Sequence, residues 1–393
     1  MTGPVAWLDA DWLAAPATRA VFAALSDAGH AAYAVGGCVR NTLLGRAVRD
    51  IDIATDARPD ATVAAAAAAG LKAVPTGASH GTITVVADKR GFEVTTFRHD
   101  VDTDGRHAVV RFSDRLEDDA ARRDFTMNAL YARPDGAVLD PVGGLVDLRA
   151  GRLRFIGDPD ARIAEDYLRI LRFFRFHAWY ADPAGGVDAA GLAACAAGAA
   201  GLARVSAERV GHEMLRLLAA DDPGPAVAAM AQAGVLARVL PGADARALPV
   251  LVALEGDHGA GAPDPIRRLA VLGGADAAAA LRLSRAEAKR LATLHGGIGS
   301  AAGPAELAFR HGPETARDIV LARAALTGAP LPGDLTAALA RGAEAVFPIK
   351  AADLMRTHRG AALGAELRRL ERLWIDGGFA PGRAALLDAA NRG

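Results

Sequence analysis

Two aspartates separated by one isoleucine are the sharpest chemical feature of this sequence. Asp50 and Asp52 lie in a segment, 49–54, in which charged and apolar residues alternate. Such alternation predicts a strand, and side chains two positions apart on a strand point to the same face. The two carboxylates then repel each other unless a cation lies between them, and Mg²⁺ is commonly held by one or two carboxylates together with substrate phosphates. The pair therefore predicts a magnesium site, although the same tripeptide is common on exposed strands that bind no metal.

A third carboxylate lies on a later predicted strand. Glu93 belongs to a mainly apolar segment, 92–97, and we expect it to come alongside the aspartate pair as a supporting catalytic acid. Acids in this arrangement suit two-metal phosphoryl transfer, in which one ion activates an attacking hydroxyl and the other stabilises the leaving oxygens. Asp50, Asp52 and Glu93 are therefore the candidate catalytic residues, and the two aspartates are the candidate metal ligands.

A glycine turn precedes the aspartate pair. Gly36 and Gly37 follow a short apolar run, 31–35, which predicts a strand that ends in a tight turn. Glycine lets the backbone approach a phosphate closely, and Arg40, three residues after Gly37, has the charge to bind the same group. An ordinary tight turn has the same sequence pattern. The pattern therefore marks Gly37 and Arg40 as no more than candidates for phosphate binding.

The elements that must position these residues change character along the chain. Before about residue 150, strand-like alternation is mixed with helical periodicity, whereas from about residue 158 alanine, leucine and arginine recur at helical spacing to the C-terminus. This layout predicts an α+β fold, with a small mixed sheet and helices in an N-terminal head and an all-helical remainder. We predict helices within 1–30, at 39–44 and from 59 to 70, and strands at 31–35, 49–54, 81–87, 92–97 and 109–112.

The composition excludes several classes of protein. The chain has 393 residues, 51% of them hydrophobic and 23% charged, which rules out a mostly disordered protein. Its formal net charge of −1 excludes a protein that coats nucleic acid with its whole surface, so a nucleic-acid partner must bind a local patch. Two cysteines, Cys38 and Cys195, make neither a disulfide framework nor a zinc site. We expect a cytoplasmic protein without a secretory signal or a membrane span.

The glycine turn and the aspartate pair belong to longer motifs, 36–46 and 49–55. Together they resemble the signature of the class II tRNA nucleotidyltransferases, the family that contains CCA-adding enzymes and bacterial poly(A) polymerases. Asn41 departs from this signature, since many members carry aspartate there. Further segments resemble the family's motifs in the expected order: 92–98 (acidic strand), 105–112 (flexible loop, beginning at Gly105 and Arg106), 122–130 (ribose and nucleotide contacts), 140–144 (hinge), 165–176 (base-selecting helix) and 208–218 (a last, weaker motif).

The resemblance covers roughly residues 31–218 and implies a division of the chain. It implies a nucleotidyltransferase catalytic head at 1–150, a helical neck with the base-selecting helix at 151–220, and a helical, tRNA-binding body and tail at 221–393. The implied partners are CTP, ATP and the acceptor and T-arm of tRNA, which the helical body would grip mainly through phosphates. Arg123 would contact phosphate or ribose. The sequence leaves the oligomeric state open.

A helix predicted from Asp160 offers a way to choose nucleotides without a nucleic-acid template. Asp166 and Arg169, three positions apart, lie on neighbouring parts of one helix face, where an ordinary surface ion pair is the alternative explanation. Cytosine and adenine each present an amino donor beside a ring-nitrogen acceptor, which an aspartate and an arginine complement. Uracil and guanine mismatch this pair at both points. Arg172 and Arg175, further along the same side, would hold the triphosphate or orient Asp166.

The expected activity is the addition of C, C and A to tRNA 3′ ends from CTP and ATP, with release of pyrophosphate. Poly(A) polymerases and enzymes that add only C or only A share these motifs and stay open as alternatives. The absence of a strongly basic tail disfavours a poly(A) polymerase, and the intact loop at Gly105 and Arg106 disfavours a CC-only enzyme. An inactive tRNA-binding scaffold is a further alternative, which the retained aspartate pair disfavours.

Overall fold

The computed structural model describes residues 3–103 and 108–392, without the side chains of residues 79, 100–103 and 108–110. Within these ranges every strand lies before residue 140, and helices occupy the remainder. The predicted α+β class is thus confirmed. The strands are β1 (Ala6–Trp7), β2 (Ala32–Val35), β3 (Asp52–Thr55), β4 (Lys72–Gly77), β5 (Thr82–Ala87), β6 (Arg90–Thr96), β7 (Arg98–Thr103), β8 (Ala108–Phe112), β9 (Tyr131–Ala132) and β10 (Ala137–Leu139).

Eight of the described strands form one mixed sheet in the order β1-β10-β9-β2-β3-β6-β5-β4. β3 and β6 run parallel, while the other neighbours in this sheet pair antiparallel. β7 and β8 form a separate two-stranded sheet. The middle of the large sheet therefore carries the glycine turn at the end of β2 and the acidic residues of β3 and β6.

The predicted strands are confirmed, but the strand of the aspartate pair begins later than expected. β3 starts at Asp52, so Asp50 lies in the segment just before the strand. Ile51 and Ile53 are buried, and their alternation with the two aspartates keeps both acids off the core face.

Five strands lie outside the sequence prediction. β1, β9 and β10 have only two or three residues, which is too few to show alternation. β4 is an edge strand with Pro75 and Gly77 in it, so it lacks the buried apolar positions that mark a central strand. β7 follows directly on the predicted strand at 92–97, where no turn signal separates the two.

Helices in the strand-containing part of the chain include those predicted from the sequence. Proline at a first helical position opens α2 and α4, because the missing proline N–H has no partner to lose there. The α-helices among the described residues of this part are α1 (Asp11–Ala14), α2 (Pro16–Asp27), α3 (Gly37–Leu43), α4 (Pro59–Ala68), α5 (Leu116–Ala121) and α6 (Gly144–Arg149).

The rest of the described chain is helical. None of its helices, nor any other described helix, has the length and apolarity to cross a membrane. In chain order they are α7 (Pro159–Glu165), α8 (Leu168–Tyr180), α9 (Ala189–Gly198), α10 (Ala207–Leu218), α11 (Gly224–Gln232), α12 (Val235–Val239), α13 (Leu248–Asp257), α14 (Pro265–Leu272), α15 (Ala277–Ala280), α16 (Arg285–Ile298), α17 (Pro304–His311), α18 (Pro313–Thr327), α19 (Leu335–Glu344), α20 (Ala351–Leu354), α21 (Gly360–Asp376) and α22 (Arg383–Asn391).

The prediction of one continuous helix from Asp160 is wrong, because Asp166 and Tyr167 lie between two helices. Asp166 has extended backbone angles, φ −153° and ψ 105°, and separates α7 from α8. Its carboxylate accepts a hydrogen bond of 3.0 Å from the Leu168 amide, and such local bonds let aspartate compete with the helical backbone. The interruption moves Asp166 off the helix face that it was predicted to share with Arg169.

The chain forms two compact units. The first contains Met1–Ala243 and Ala280–Arg282, and the second contains Asp244–Ala279 and Leu283–Gly393. In the first unit, buried residues from β2, β3 and β9 pack with α5 into one cluster beside the sheet. In the second unit, α20, α21 and α22 enclose a cluster around Trp374. The three-part division into head, neck and body stays a prediction.

Candidate active site

Asp52 lies at the centre of the candidate site, at the first residue of β3. The register of the sheet pairs it with Val35 of β2 on one side and with Glu93 of the parallel strand β6 on the other. Glu93 and Asp50 are exposed, and Asp52 is half-buried. The structure thus brings the three predicted acids together.

The electrostatics of Asp52 reflect this crowding. Burial, followed by the negative charge of Glu93, raises the pKa of the Asp52 carboxyl to about 6; Asp50 adds to the rise, and Arg123 opposes it. A bound cation would relieve this repulsion.

The oxygen donors fit a magnesium site built from two carboxylates. Among the described residues, no group of three or more His, Cys, Asp and Glu side chains is arranged to hold a metal ion. Mg²⁺ does not require such a group, because proteins usually bind it through one or two carboxylates together with substrate phosphates and water. Asp50 and Asp52, which line one cavity, are the two carboxylates that could hold such an ion.

The glycine turn lies beside the acids. Gly36 has a φ of 72°, a left-handed angle that favours glycine, and Gly37 begins α3. A Cβ on Gly36 would lie 3.6 Å from Nη1 of Arg123, so this guanidinium approaches the turn. Gly37 lines the same cavity as Asp50 and Asp52. The structure therefore places both Gly37 and Arg123 close to the acid pair.

A buried carboxylate fixes the position of Arg123. Nη2 of Arg123 donates to Oδ2 of Asp119 over 2.9 Å, and its Nε donates to the Tyr131 hydroxyl over 3.0 Å. Asp119 is fully buried and also accepts from Arg122 and Tyr131. Burial alone would raise the pKa of Asp119, but Arg123 and Arg122 bring it below its ordinary value. The carboxylate therefore stays charged and keeps its ion pair with Arg123.

Arg40 is buried and engaged by polar and aromatic side chains. Its Nη1 donates to Oδ1 of Asn128, and its Nη2 donates to the hydroxyl of Tyr180 over 2.8 Å. The guanidinium carbon lies 4.1 Å from the centre of the Tyr180 ring and 5.2 Å from that of Phe176. Arg40 therefore joins α3 to the end of α8, in addition to lining the cavity at the acid pair.

The junction between α7 and α8 holds the two predicted base-reading residues in separate ion pairs. Oδ2 of Asp166 accepts from Nη2 of Arg209 over 2.7 Å. Nη1 of Arg169 donates to Glu165 and, over 2.6 Å, to the carbonyl of Arg162. Asp166 and Arg169 are thus close in space, but each is bound to another group.

Arg162 ties this junction to the segment that carries Arg123. Its Nη2 donates to the backbone carbonyls of Arg122 and Arg123, the second over 2.8 Å. Its Nη1 pairs with Glu165, which also binds Arg169. The predicted base-reading residues therefore lie on the Arg123 side of the site.

Arg172 and Arg175 bind acids from distant parts of the chain. Nε of Arg172 donates to Oδ2 of Asp124 over 2.8 Å, and Nε of Arg175 donates to Oε2 of Glu213 over 2.5 Å. The side chains of Arg175 and Glu213 are each 5% exposed. Burial would raise the pKa of Asp124, but Arg172 and the amide of Asn128 hold it well below its ordinary value. Asp124, Arg175 and Glu213 are thus buried charges, each paired with an opposite charge, whereas Arg172 is half-buried.

Five side chains that organise the site were not singled out from the sequence. They are Asp119, Asp124, Asn128, Arg209 and Glu213. Asp119 lies outside the motif segments, whereas the other four lie within 122–130 and 208–218. The resemblance of these two segments to family motifs was the sequence signal that could have found them. The partners of Asp124, Arg209 and Glu213, on α8 and at its junction, lie 38 to 48 residues away in sequence, so these three pairings had no local signature.

Gly105 and Arg106, the predicted start of the flexible loop, lie outside the described residues.

A cavity of about 450 Å³ opens beside Asp50 and Asp52. Trp179 and Tyr180, at the end of α8, complete one wall. Its arginines outnumber its aspartates, which favours an anionic ligand. We term it the arginine pocket, and its arginines are Arg40, Arg46, Arg49, Arg175 and Arg216.

Two protein-family models match this chain. Residues 32–154 match the poly A polymerase head domain, and residues 187–246 match a model described as the probable RNA and SrmB-binding site of polymerase A. The mitochondrial CCA tRNA nucleotidyltransferase 1 of Mus musculus is 40% identical over 193 residues, which is 49% of this chain and 44% of the relative. Over these ranges the chain is similar to the tRNA nucleotidyltransferase and poly(A) polymerase family.

Two further members of this family are similar to the chain. The CCA-adding enzyme of Geobacillus thermodenitrificans is 38% identical over 216 residues, which is 54% of this chain and 52% of the relative. The solved structure of the Bacillus stearothermophilus CCA-adding enzyme in complex with CTP is 28% identical, with a TM-score of 0.68 over 93% of this chain and 94% of that chain. In sequence the chain spans about half the length of the curated relatives it matches, whereas the fold of this family member is matched almost throughout.

Proposed function

We propose that this chain is a template-independent tRNA nucleotidyltransferase that adds C, C and A to tRNA 3′ ends, using CTP and ATP. The names of its relatives support this activity. The observation that carries the proposal is the crowding of Asp50, Asp52 and Glu93 beside the arginine pocket. Carboxylates that attract divalent cations, next to guanidinium groups that attract phosphates, are what nucleotidyl transfer requires.

In the proposed reaction the terminal RNA hydroxyl attacks the α-phosphorus of the nucleoside triphosphate. The bond from O3′ to phosphorus forms, the bond from phosphorus to the bridging oxygen breaks, and pyrophosphate leaves. Asp50 and Asp52 would hold Mg²⁺, which when bound neutralises phosphate charge and favours ionisation of the hydroxyl. Glu93 supports cation binding by adding negative charge beside Asp52. Gly37 and Arg123 are proposed to contact the phosphates or the ribose.

Base choice is proposed to rest on Asp166 and Arg169, which complement the edges of cytosine and adenine. A uracil or guanine would leave polar groups unpaired, at a cost of about 1–3 kcal/mol for each buried group. The present partners, Arg209 and Glu165, would be exchanged for the base edge when a nucleotide binds. The Leu168 amide keeps the Asp166 carboxylate oriented during this exchange.

The proposed nucleotide-binding residues include three more arginines, mainly because of where their side chains lie. They are Arg40, Arg172 and Arg175. Arg172 lies near enough to Asp166 for their charges to interact, which supports a role in orienting that aspartate. Arg40 and Arg175 line the arginine pocket, which supports a contribution of positive charge toward phosphates. Since each of the three arginines already has hydrogen-bond partners, we expect them to hold the site in shape as much as to contact the nucleotide.

The helical remainder, 221–393, is proposed to bind the acceptor and T-arm of tRNA in a cytoplasmic enzyme. The match of 187–246 to an RNA-binding model supports an RNA partner. Contacts of this kind are expected to go mainly to phosphates and to read little sequence.

The test uses tRNA transcripts that end before the CCA sequence, after its first C and after its second C, each incubated with CTP or ATP alone. The proposal expects C on the first two, A on the third, and no growth beyond A. A long A-tail on unrelated RNA would instead identify a poly(A) polymerase. Arrest after two C residues would identify a CC-only enzyme, and incorporation of A alone would identify an A-only enzyme. Binding of tRNA without any incorporation would identify a scaffold.

A further inference from the structure

Asp50 lies in a segment that has little regular structure of its own. α3 ends at Leu43 and β3 begins at Asp52, so residues 44–51 belong to neither element. We term residues 44–51 the ligand loop. Within the described chain, the backbone groups of residues 47–50 form no hydrogen bond with other backbone groups. Asp52 is fixed by its two neighbouring strands, whereas the position of Asp50 depends on the side chains that hold this loop.

Arg90, the first residue of β6, holds the end of the ligand loop. Its Nη2 donates to the carbonyl of Arg49 over 2.8 Å. β3 and β6 run parallel, with Asp52 opposite Glu93, and the same register continued beyond the start of β3 brings Arg90 opposite Arg49. The Arg90 guanidinium carbon lies 5.7 Å from the centre of the Phe92 ring, which is fully buried. The donor that holds the loop is therefore itself supported by the sheet.

Asn41, on α3, holds the middle of the ligand loop. Its Nδ2 donates to the carbonyl of Ala47 over 3.1 Å. Its Oδ1 accepts from Nη2 of Arg40 over 3.1 Å, and its backbone carbonyl accepts from the Arg46 amide over 2.8 Å. The side chain can make both of its bonds because an amide carries a donor and an acceptor, whereas an ionised aspartate carries acceptors only. An aspartate at this position could therefore not hold the carbonyl of Ala47.

These two bonds bear on cation binding because both carboxylates must be in place before they can share one ion. Ligands that are already ordered bind more tightly, since less freedom is lost on binding. Arg90 is itself a cation, and its charge alone would weaken the binding of a metal ion nearby. The hydrogen bond from Arg90 to the loop and the charge of Arg90 therefore have opposite effects on a metal site at Asp50, which makes them separable by experiment.

We propose that Asn41 and Arg90 are positioning residues that hold the ligand loop and thereby set the affinity of Asp50 and Asp52 for a divalent cation. They act through backbone carbonyls of the loop and do not touch the cation. The inference rests on the proposed function, because it takes the two aspartates as the metal ligands. It adds that part of the affinity comes from a helix and a strand on either side of the acids.

The experiment measures equilibrium binding of Mn²⁺ alone to the full chain by electron paramagnetic resonance. Mn²⁺ is used because it takes the same oxygen ligands as Mg²⁺. Asn41→Ala and Arg90→Ala should each bind Mn²⁺ roughly 2- to 5-fold more weakly, which is what the loss of one partly exposed hydrogen bond implies. Arg90→Lys keeps a donor and should recover most of the loss.

Arg49→Ala is the matched control. It removes a positive charge from the ligand loop but leaves in place the backbone carbonyl that Arg90 holds. By charge alone, Arg49→Ala and Arg90→Ala should both bind Mn²⁺ more tightly, so weaker binding in Arg90→Ala identifies the lost hydrogen bond. Unchanged or tighter binding in Arg90→Ala, or unchanged binding in Asn41→Ala, would overturn the proposal. A similar loss in Arg49→Ala would overturn it as well.

Asp52→Ala separates failure of this inference from failure of the proposed function. If Mn²⁺ binding is lost in Asp52→Ala but kept in Asn41→Ala and Arg90→Ala, the positioning argument alone is wrong. If the wild type binds no Mn²⁺, or Asp52→Ala binds it equally well, the inference and the proposed metal site fail together. Because binding is measured without nucleotide or RNA, failure of the wild-type chain to incorporate nucleotides would count against the proposed function only.

Discussion

The ion pair between Arg209 and Asp166 leads to a quantitative expectation for nucleotide binding. Oδ2 of Asp166 is the carboxylate oxygen that a base amino group would use, since Oδ1 accepts from the Leu168 amide. Arg209 therefore competes with the nucleotide for that oxygen. Removal of this competitor by Arg209→Ala should tighten the binding of CTP and ATP.

The size of the effect follows from the exposure of the pair. The Arg209 and Asp166 side chains are 50% and 34% exposed, so solvent screens their 2.7 Å contact. Pairs of this kind contribute about 0.5–1 kcal/mol. Loss of the competition should therefore lower the dissociation constants of CTP and ATP about 2- to 5-fold.

The assay is titration calorimetry with CTP and ATP in the absence of RNA, at moderate salt. Arg238→Ala is the matched control, because Arg238 is an exposed arginine on α12 whose loss changes the net charge equally. Arg209→Lys should behave like the wild type, since it keeps a cation near Asp166. If Arg209→Ala bound CTP more weakly than the control, Arg209 would have to orient Asp166 for the base, and the competition argument would be wrong.

Three further changes test other parts of the site. Asp52→Ala should abolish incorporation in the transcript assay while tRNA binding stays near the wild-type level. Glu213→Ala should cost about 3–5 kcal/mol in urea unfolding, because it leaves the buried charge of Arg175 unpaired; the double variant Arg175→Met, Glu213→Leu should recover most of that loss. Asp124 has a folded pKa below its ordinary value, so its charge stabilises the fold above about pH 4 and the contribution is lost as the pH falls toward the folded pKa. Asp124→Asn should therefore be less stable at neutral pH and lose less stability than the wild type on acidification, as urea unfolding at pH 7 and pH 3 would measure.

Each of these changes has a contrary outcome. Near wild-type turnover in Asp52→Ala would remove the aspartate pair from the chemistry. An unfolding free energy of Glu213→Ala within 1 kcal/mol of the wild type would mean that water reaches Arg175. An acid transition of Asp124→Asn identical to that of the wild type would mean that Asp124 does not couple folding to protons.

The head of the fold was largely predictable because its signals are local. Alternation around Ile51 and Ile53 indicated the strand that positions Asp52, and the segment at 92–97 indicated the strand that brings Glu93 alongside. The parallel register between these strands is a tertiary result that neither segment encodes alone. The short strands β9 and β10 were missed because two or three residues show no period.

The partners of the arginines were not predictable from spacing. Helical periodicity placed Arg172 and Arg175 on one side of a helix, but the acids that bind them, Asp124 and Glu213, lie far away in sequence. The break at Asp166 was also missed. Its cause is a side-chain bond to a nearby amide, which competes with helix formation and leaves the apolar pattern of the segment intact.

The stacking of Arg40 on Tyr180 and Phe176 has a consequence for exchanging parts between relatives. A fragment cut after residue 154, where the match to the head-domain model ends, would lose both rings and the Tyr180 hydroxyl. Arg40 would keep its hydrogen bonds to Asn41 and Asn128 but lose its aromatic contacts. The amino-terminal portion therefore depends on α8 for the packing of Arg40. A chimaera that takes α3 from another enzyme needs the α8 of the same enzyme, because the Arg40 guanidinium of α3 packs on two aromatic rings of α8.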